Sequence, residues 1–232
     1  MNFFVREDSV VRRIWGKADT ILFIFAGASA EFALNKAVDW LYYTGKIPSD
    51  PLGRLFSTVD YARMIVFSPE EQALQAIDRM NAIHGSIESS RGDKIPDWAY
   101  RDVLFMLIDY SIRAFEVLER PLTAAEKQET FDVFNRVGAR MEIPGLPQTF
   151  DEWLVMRDEH LRQNLIKSHF TVDLYKQYRK HLGPVRFLLL LQAQSLVTPP
   201  VVRDYLSLNN RSLLRIILPL YKISRRFKMN HL

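Results

Sequence analysis

The chain has 232 residues, which is long enough for one large domain or two small ones. Its 48% hydrophobic and 25% charged residues are typical of a globular protein and exclude collagen-like repeats and long disordered tracts. Because cysteine is absent, disulfides, iron–sulfur clusters, thiolate zinc sites, a cysteine nucleophile and thioether-linked haem are excluded. The net charge of +4 divides unevenly, with +6 on residues 201–232 and −2 on the first 200 residues.

Hydrophobic periodicity predicts helices along nearly the whole chain. In chain order they fall near residues 20–43, 54–67, 69–84, 97–118, 124–140, 150–163, 171–181, 184–198 and 210–228. Breaks are expected at 45–53, 85–96, 143–147 and 199–200, and Pro219 is expected to kink or end the last helix. No period-2 alternation bounded by turn residues occurs, so a sheet is not expected. The prediction is a single all-α domain over residues 1–205, followed by a basic C-terminal helix or tail over 206–232.

Three of these helices begin with the spacing of a capping box, in which a hydroxyl and a carboxylate bond to each other's backbone N–H groups. The three tetrapeptides are Ser68-Pro69-Glu70-Glu71, Thr123-Ala124-Ala125-Glu126 and Thr149-Phe150-Asp151-Glu152. Their positions predict helix starts close to residues 69, 124 and 150.

The N-terminal residues resemble neither a secretory signal nor a membrane span. Residues 1–8 include two acids and no long apolar core. The apolar stretch 21–30 is shorter than the about 20 residues that cross a bilayer, so a buried core helix is expected there. These features predict a cytoplasmic protein.

Several familiar chemistries lack their motifs. The sequence has no glycine-rich phosphate loop, no G-x-S-x-G and no H-E-x-x-H, and no histidine follows a glutamate by three residues as in carboxylate-bridged di-iron bundles. The run Tyr175-Lys176-Gln177-Tyr178-Arg179-Lys180 could stack bases, but a solvated helix face is favoured. No nucleic-acid partner is expected.

His84 is the histidine most suited to holding a cofactor. It extends an apolar stripe of Ala73, Ile77 and Met80 at helical spacing, so its imidazole is predicted to face an apolar space, as axial haem ligation requires. Alternatively, Gly85 ends the helix and His84 occupies its last turn, next to the negative end of the helix dipole. The other four histidines have charged surroundings and receive less weight.

Arg54 and Thr58 form a second candidate pair. They are four residues apart on a helix whose face continues with Tyr61, Ala62 and Ile65. A guanidinium and a hydroxyl on an apolar face could donate to a bound oxidant or an anion. An ion pair for the arginine and a bond to a backbone carbonyl for the threonine are the structural alternatives.

Taken together, these motifs resemble the catalytic domain of the MpaB-type and rubber oxygenase (latex clearing protein) family. The resemblance rests on Asp50-Pro-Leu-Gly-Arg54-Leu-Phe-Ser-Thr58, Val66-Phe67 and a helix that ends with Met80-Asn-Ala-Ile-His84-Gly85. Arg120-Pro-Leu-Thr123 and Leu146-Pro-Gln-Thr-Phe150 are similar to its downstream landmarks, and the likeness extends from about residue 15 to 205.

The resemblance implies an all-α fold that holds haem b without a covalent link. His84 would be the axial ligand of the haem iron, and Arg54 and Thr58 would be the catalytic polar pair on the oxygen side. Family members cleave isoprenoid double bonds with oxygen or shorten a prenyl side chain. An acid upstream of the arginine serves rubber oxygenases as a base, and Asp39 is the one acid between Glu31 and Asp50 here.

Two stretches depart from the family pattern. Many relatives have Gln-x-Ala-His-Pro before the arginine, where this chain has Ala33-Leu34-Asn35-Lys36-Ala37. Many also have Trp-x-His-Ala after the haem histidine, where this chain has Asp102-Val103-Leu104-Phe105. Both accessory histidines are therefore replaced.

The C-terminal segment combines apolar bulk with a basic end. Leu213-Leu-Arg-Ile-Ile-Leu-Pro-Leu-Tyr221 is followed by Lys222, Arg225, Arg226 and Lys228. Such a segment can lie in a membrane interface, which would give peripheral contact through residues 210–228. The simpler interpretation is a last helix that packs on the body and ends in solvent.

Two main hypotheses result. The first is a haem b-dependent oxygenase that acts on the double bonds of a hydrophobic, isoprenoid-like small molecule. The second is a non-catalytic helical protein on the same scaffold that binds lipid or another hydrophobic ligand, motivated by the missing histidines and the basic tail. A weaker third is a metal-dependent hydrolase site formed by His84 and Glu88. The sequence does not determine the oligomeric state.

Overall fold

The computed structural model describes the backbone of residues 2–43, 51–209 and 212–229, and the side chains of 2–43, 58–209 and 212–223. Over these ranges the chain forms eleven helices and no strand, which confirms the all-α prediction. Helices α1 to α11 span Val10–Trp15, Ala18–Phe32, Asp39–Tyr43, Pro51–Phe67, Glu70–Arg91, Asp97–Leu118, Ala124–Arg140, Phe150–Gln163, His169–Val197, Pro200–Leu206 and Leu214–Met229. Within the described ranges no helix has the length and apolar content needed to cross a bilayer.

The three predicted capping boxes have different outcomes. The Thr123 box is confirmed, since the threonine hydroxyl accepts from Glu126 N and the Glu126 carboxylate accepts from Thr123 N. The Thr149 box is half formed, because the Glu152 carboxylate accepts from Gln148 N instead of Thr149 N.

The box at Ser68 is wrong, because Pro69 occupies the N-cap and the helix has no side-chain cap there. The N-terminal segment takes over this role. The Glu70 N–H donates to Asn2 O at 3.0 Å, and the Asn2 amide donates to the Glu70 carboxylate at 2.6 Å.

Helix α5 is longer than the sequence predicted. It was expected to end at His84, but it continues through Gly85 to Arg91 and closes at Gly92, whose φ of 70° is left-handed. A glycine inside a helix costs only about 1 kcal/mol relative to alanine, so a good C-cap seven residues further on can decide where the helix ends. His84 therefore lies inside the helix, and the interpretation that places it in the last turn is wrong.

The predicted helix over 20–43 is interrupted after Phe32. Asn35 accounts for the interruption, because its amide oxygen accepts from Ala37 N at 2.8 Å and its amide nitrogen donates to Asp102 at 2.9 Å. Asparagine side chains that bond their own backbone in this way compete with the helical ladder. The turn also pairs with the segment after α8, since Ile166 N donates to Leu34 O.

Prolines shape the C-terminal third of the chain. Helix α9 contains the predicted break, because Gly183 before Pro184 adopts φ 70° and ψ 173°, which is not helical. Pro219 lies inside α11 and does not end it. Two short helices were not predicted from periodicity: α1, which is capped by Ser9, and α10, which begins with Pro200.

Helices α2 and α6 form the centre of the core and approach each other at a glycine. A Cβ added to Gly27 of α2 would lie 2.2 Å from the ring of Tyr110 on α6. Tyr110 is fully buried, together with Trp15, Phe105, Phe131 and Trp153. The absent side chain therefore sets the distance between the two central helices.

A buried ion network ties α2, α6 and α8 together beside this contact. The Arg157 guanidinium donates bidentate hydrogen bonds to Glu31, at 2.5 and 2.6 Å, and also donates to Asp109 at 3.0 Å. Tyr110 donates its hydroxyl to Glu31 at 2.7 Å, and Arg113 donates to the second oxygen of Asp109 at 2.6 Å. These bonds join positions as far apart as 31 and 157 in the sequence.

The charges in this network compensate one another. Burial alone would lower the pKa of Arg157, but Glu31 and Asp109 outweigh burial and the pKa lies above its ordinary value. Burial, reinforced by Glu31, raises the pKa of Tyr110 well above its usual range. Arg157 therefore stays charged and Tyr110 stays a hydroxyl donor at physiological pH.

Removal of Arg157 should destabilise the fold strongly, because the buried Glu31 carboxylate would lose its counter-charge and Asp109 would keep only Arg113. We expect Arg157→Leu to lower the free energy of unfolding by about 3–5 kcal/mol. Urea unfolding followed by circular dichroism measures this change.

The matched control is Arg162→Leu on the same helix, where an exposed arginine pairs with Asp158. Its effect should stay within about 1 kcal/mol, as for other surface pairs. Equal losses in the two variants would contradict the role assigned to the network.

Candidate functional site

An apolar cavity of about 1020 Å³ lies among the described helices. Its wall includes side chains from α2, α4, α5, α6, α7, α9 and α11. The described wall is mainly aliphatic and aromatic, and only Asp19, His84 and Arg186 in it have side chains that can carry charge near neutral pH. Its volume is at the upper end of the about 300–1,000 Å³ that small-molecule sites have.

His84 lines this cavity, as its apolar stripe predicted. Ala73 and Ile77 of the stripe are buried in the core, while Met80 and His84 are half-buried and both belong to the cavity wall. The imidazole packs edge-on against the ring of Tyr100, with the centroids 5.3 Å apart. Because α5 continues beyond Gly85, the ring is attached to the interior of a helix and not to its end.

Arg54 and Thr58 both lie on α4, but only the side chain of Thr58 belongs to the described residues. Thr58 lines the same cavity as His84 and contributes a hydroxyl to its wall, next to Tyr61 on the following turn. The backbone of Arg54 belongs to α4, and its side chain lies outside the described residues. Of the three candidate residues, the structure therefore places His84 and Thr58 in the wall of one cavity.

The acids that the sequence suggested as functional are engaged elsewhere. Asp39 pairs with Arg91 at 2.7 Å and is not among the described wall residues. Glu88, one turn after His84, accepts from Ile95 N at 2.9 Å and from the Tyr100 hydroxyl at 3.0 Å. Burial and this bond to Glu88 raise the pKa of Tyr100.

No cluster of three or more potential metal ligands occurs among the side chains that the structure describes. The bonds that Glu88 makes to Ile95 and Tyr100 stabilise the start of α6. The structure therefore gives no support to the hydrolase hypothesis.

A polar patch was missed by sequence reasoning. Tyr178 and Ser29 both line the cavity, the Gln194 amide donates to the Ser29 hydroxyl at 3.2 Å, and Tyr175 donates to Gln194 at 2.9 Å. The pKa of Tyr178 is raised, mainly by burial. The two tyrosines are half-buried while Lys176 and the basic residues after Tyr178 are exposed, so only the basic side of this run is a solvated face.

The two stretches that depart from the family pattern meet in space. Asn35 donates to Asp102 at 2.9 Å, and Asn164 donates to the same carboxylate at 3.2 Å. His160, which received little weight in the sequence, is buried with its Nδ1 in contact with Asp102. Asn35 and Leu104 line the cavity, so an amide and a leucine contribute to the wall from these two stretches.

His160 should make stability depend on pH. Burial, followed by the positive charge of Arg101, lowers its pKa to about 4. The unfolded imidazole has a pKa near 6.5, so between these values the unfolded chain binds a proton that the folded chain does not. This contribution is complete above pH 6.5 and is lost as the pH falls towards 4.

We expect His160→Gln, which keeps a polar side chain beside Asp102, to flatten that part of the profile. The measurement is the free energy of unfolding across this pH range, and the His169→Gln variant of an exposed histidine is the control. Parallel profiles for wild type and His160→Gln would exclude His160 as the titrating group.

Comparison with known proteins shows the family of this chain. The family model described as the catalytic domain of ER-bound oxygenase mpaB/B' and rubber oxygenase matches residues 12–223. No curated protein and no solved structure gives a significant match. The match covers all of the described cavity wall and most of the chain, so the chain belongs to the MpaB and rubber oxygenase catalytic domain family.

Proposed function

We propose that the protein is a haem b-dependent oxygenase that acts with O2 on the double bonds of a hydrophobic, isoprenoid-like small molecule. The single observation that carries this proposal is that His84 and Thr58 line the same apolar cavity. Membership of the family supports the oxygenase class.

The cavity suits a large, flat and mostly apolar cofactor. Aliphatic and aromatic side chains make up most of the described wall, and a volume of about 1020 Å³ leaves room for a ligand beside a macrocycle. His84 would hold the haem iron, because a helical imidazole in an apolar wall is a common axial ligand. When bound, the haem supplies an iron on which O2 can be activated.

The other residues have roles that follow from their chemistry. Thr58 would orient O2 or the substrate through its hydroxyl, and Arg54, four residues earlier on α4, would add a positive charge. The apolar wall excludes water and favours substrates without charge. Met80 and Leu107, both in the wall, would contact such a substrate through dispersion.

A second candidate function is non-catalytic binding of a lipid or another hydrophobic ligand. The observation that favours it is the wall itself, where Leu104 and Asn35 come from the two stretches in which relatives carry accessory histidines. Such a protein would need the cavity but not the haem.

Haem binding distinguishes these candidates. We expect purified protein mixed with haem to bind one haem per chain tightly and to show a Soret band. The His84→Ala variant should lose or shift that band, because the iron loses its axial ligand. Absorption spectroscopy after gel filtration is the measurement. His169→Ala, an exposed histidine outside the described wall, should behave as wild type.

The absence of a Soret band, or a band that His84→Ala leaves unchanged, would overturn the haem assignment. Binding of a fluorescent fatty acid without any haem would favour the second candidate.

Thr58 tests the catalytic part separately. We expect Thr58→Val to keep haem but to slow oxygen consumption with a prenylated substrate at least about tenfold, the effect of losing one hydrogen bond in the transition state. Thr58→Ser, which retains the hydroxyl, should recover most of the rate. Equal rates in the valine and serine variants would exclude a role for the hydroxyl.

A further inference from the structure

Helix α11 exposes an apolar face that the fold leaves uncovered. Ile216 and Leu220, four residues apart, are 74% and 70% exposed. Ile217 and Ile223, and Leu213 just before the helix, are each more than half exposed. Single exposed aliphatic residues are normal, but a row at helical spacing is a recognised feature of interaction sites.

The face continues onto neighbouring helices, because α11 is bound to both of them. Leu213 N donates to the Gln192 side chain of α9 at 2.7 Å, and Tyr221 donates to Asp19 of α2 at 2.5 Å. Val185, Leu188 and Leu189 of α9 and Leu22 of α2 are also more than half exposed. Three helices therefore contribute to this surface, which we call the apolar rim.

The apolar rim surrounds an opening of the cavity. Leu22, Leu189 and Ile217 are each more than half exposed and also line the cavity, so they lie where the cavity wall meets the outside. Arg186 is exposed and lines the cavity at the same place on α9. A hydrophobic ligand that enters here would pass from the exposed apolar side chains of the rim to the apolar wall of the cavity.

Basic residues accompany the rim. Arg215 and Lys222 belong to α11, and the sequence adds Arg225, Arg226 and Lys228 to the same helix. Residues 201–232 carry seven basic side chains and one acid. Apolar residues on a helix with a basic end are the combination by which interfacial helices bind anionic membranes.

We propose that the apolar rim docks on the anionic surface of a membrane, with the cavity opening directed into the lipid. A second copy of the chain is disfavoured as the occupant, because a two-fold contact would place two segments of net +6 against each other. The docking does not depend on the proposed haem chemistry, although it would deliver an isoprenoid-like substrate directly from the bilayer.

Vesicle flotation of the full chain tests this proposal. The protein should float with vesicles of phosphatidylcholine and phosphatidylserine, float much less with phosphatidylcholine alone, and dissociate as salt screens the charges. Ile216→Glu/Leu220→Glu should reduce the bound fraction on anionic vesicles at least about tenfold. Arg215→Gln/Lys222→Gln should reduce it roughly tenfold at low salt.

The matched control is Leu154→Glu/Val155→Glu on α8, where residues of 47% and 62% exposure lie outside the described cavity wall. This variant should bind vesicles as wild type does. Circular dichroism and the Soret band should be the same for all variants, which separates loss of docking from loss of fold or of haem.

Three results would overturn the proposal. One is no binding of the wild-type chain to anionic vesicles. Another is equal loss of binding in the α8 control. The third is a dimer in light scattering that Ile216→Glu/Leu220→Glu converts to monomer while vesicle binding stays absent, which would identify the rim as a contact between two copies.

Discussion

The Glu31–Arg157–Asp109 network is the interaction on which the rest of the structure depends. It fixes α2 against α6 and α8 at the point where Gly27 lets Tyr110 approach, and α2 also supplies wall residues of the cavity. A buried ion pair contributes little net stability, but its geometry is specific, because any other packing leaves a buried charge without a partner. The position of the cavity wall on α2 is thus set by charges that lie outside the described cavity wall.

The chemistry of the cavity depends on what surrounds its few polar groups. His84 and Thr58 belong to helices that pack side by side, and the apolar wall between them strengthens any hydrogen bond made inside. The Asp102 carboxylate is not a wall residue, but it accepts a hydrogen bond from Asn35 and so holds the turn after α2. Asn35 and Asp102 come from the two stretches that depart from the family pattern, and their bond is a structural contact, so the candidate chemistry lies on α4 and α5.

Much of the fold could be predicted from local sequence signals. Thr123 and Glu126 cap α7, Pro184 breaks α9, and the stripe ending in His84 faces the core and the cavity, because each effect acts within one helix. The prediction that α5 ends before Gly85 was wrong, because the cap at Gly92 determines where this helix ends. The interruption at Asn35 was not predicted, because it depends on a bond to Asp102 on another helix. The pairing of Glu31 with Arg157 could not be predicted, because charged residues usually lie at the surface and a partner 126 positions away leaves no trace in periodicity.

The proposed haem site depends on His84 as the axial ligand of the iron. Chemical rescue of His84→Gly tests it most directly, because free imidazole can enter the space that the side chain leaves. We expect this variant to lose the wild-type Soret band and to recover it when imidazole is added, while Thr58→Val needs no rescue. A wild-type spectrum from His84→Gly without imidazole would exclude His84 as the ligand.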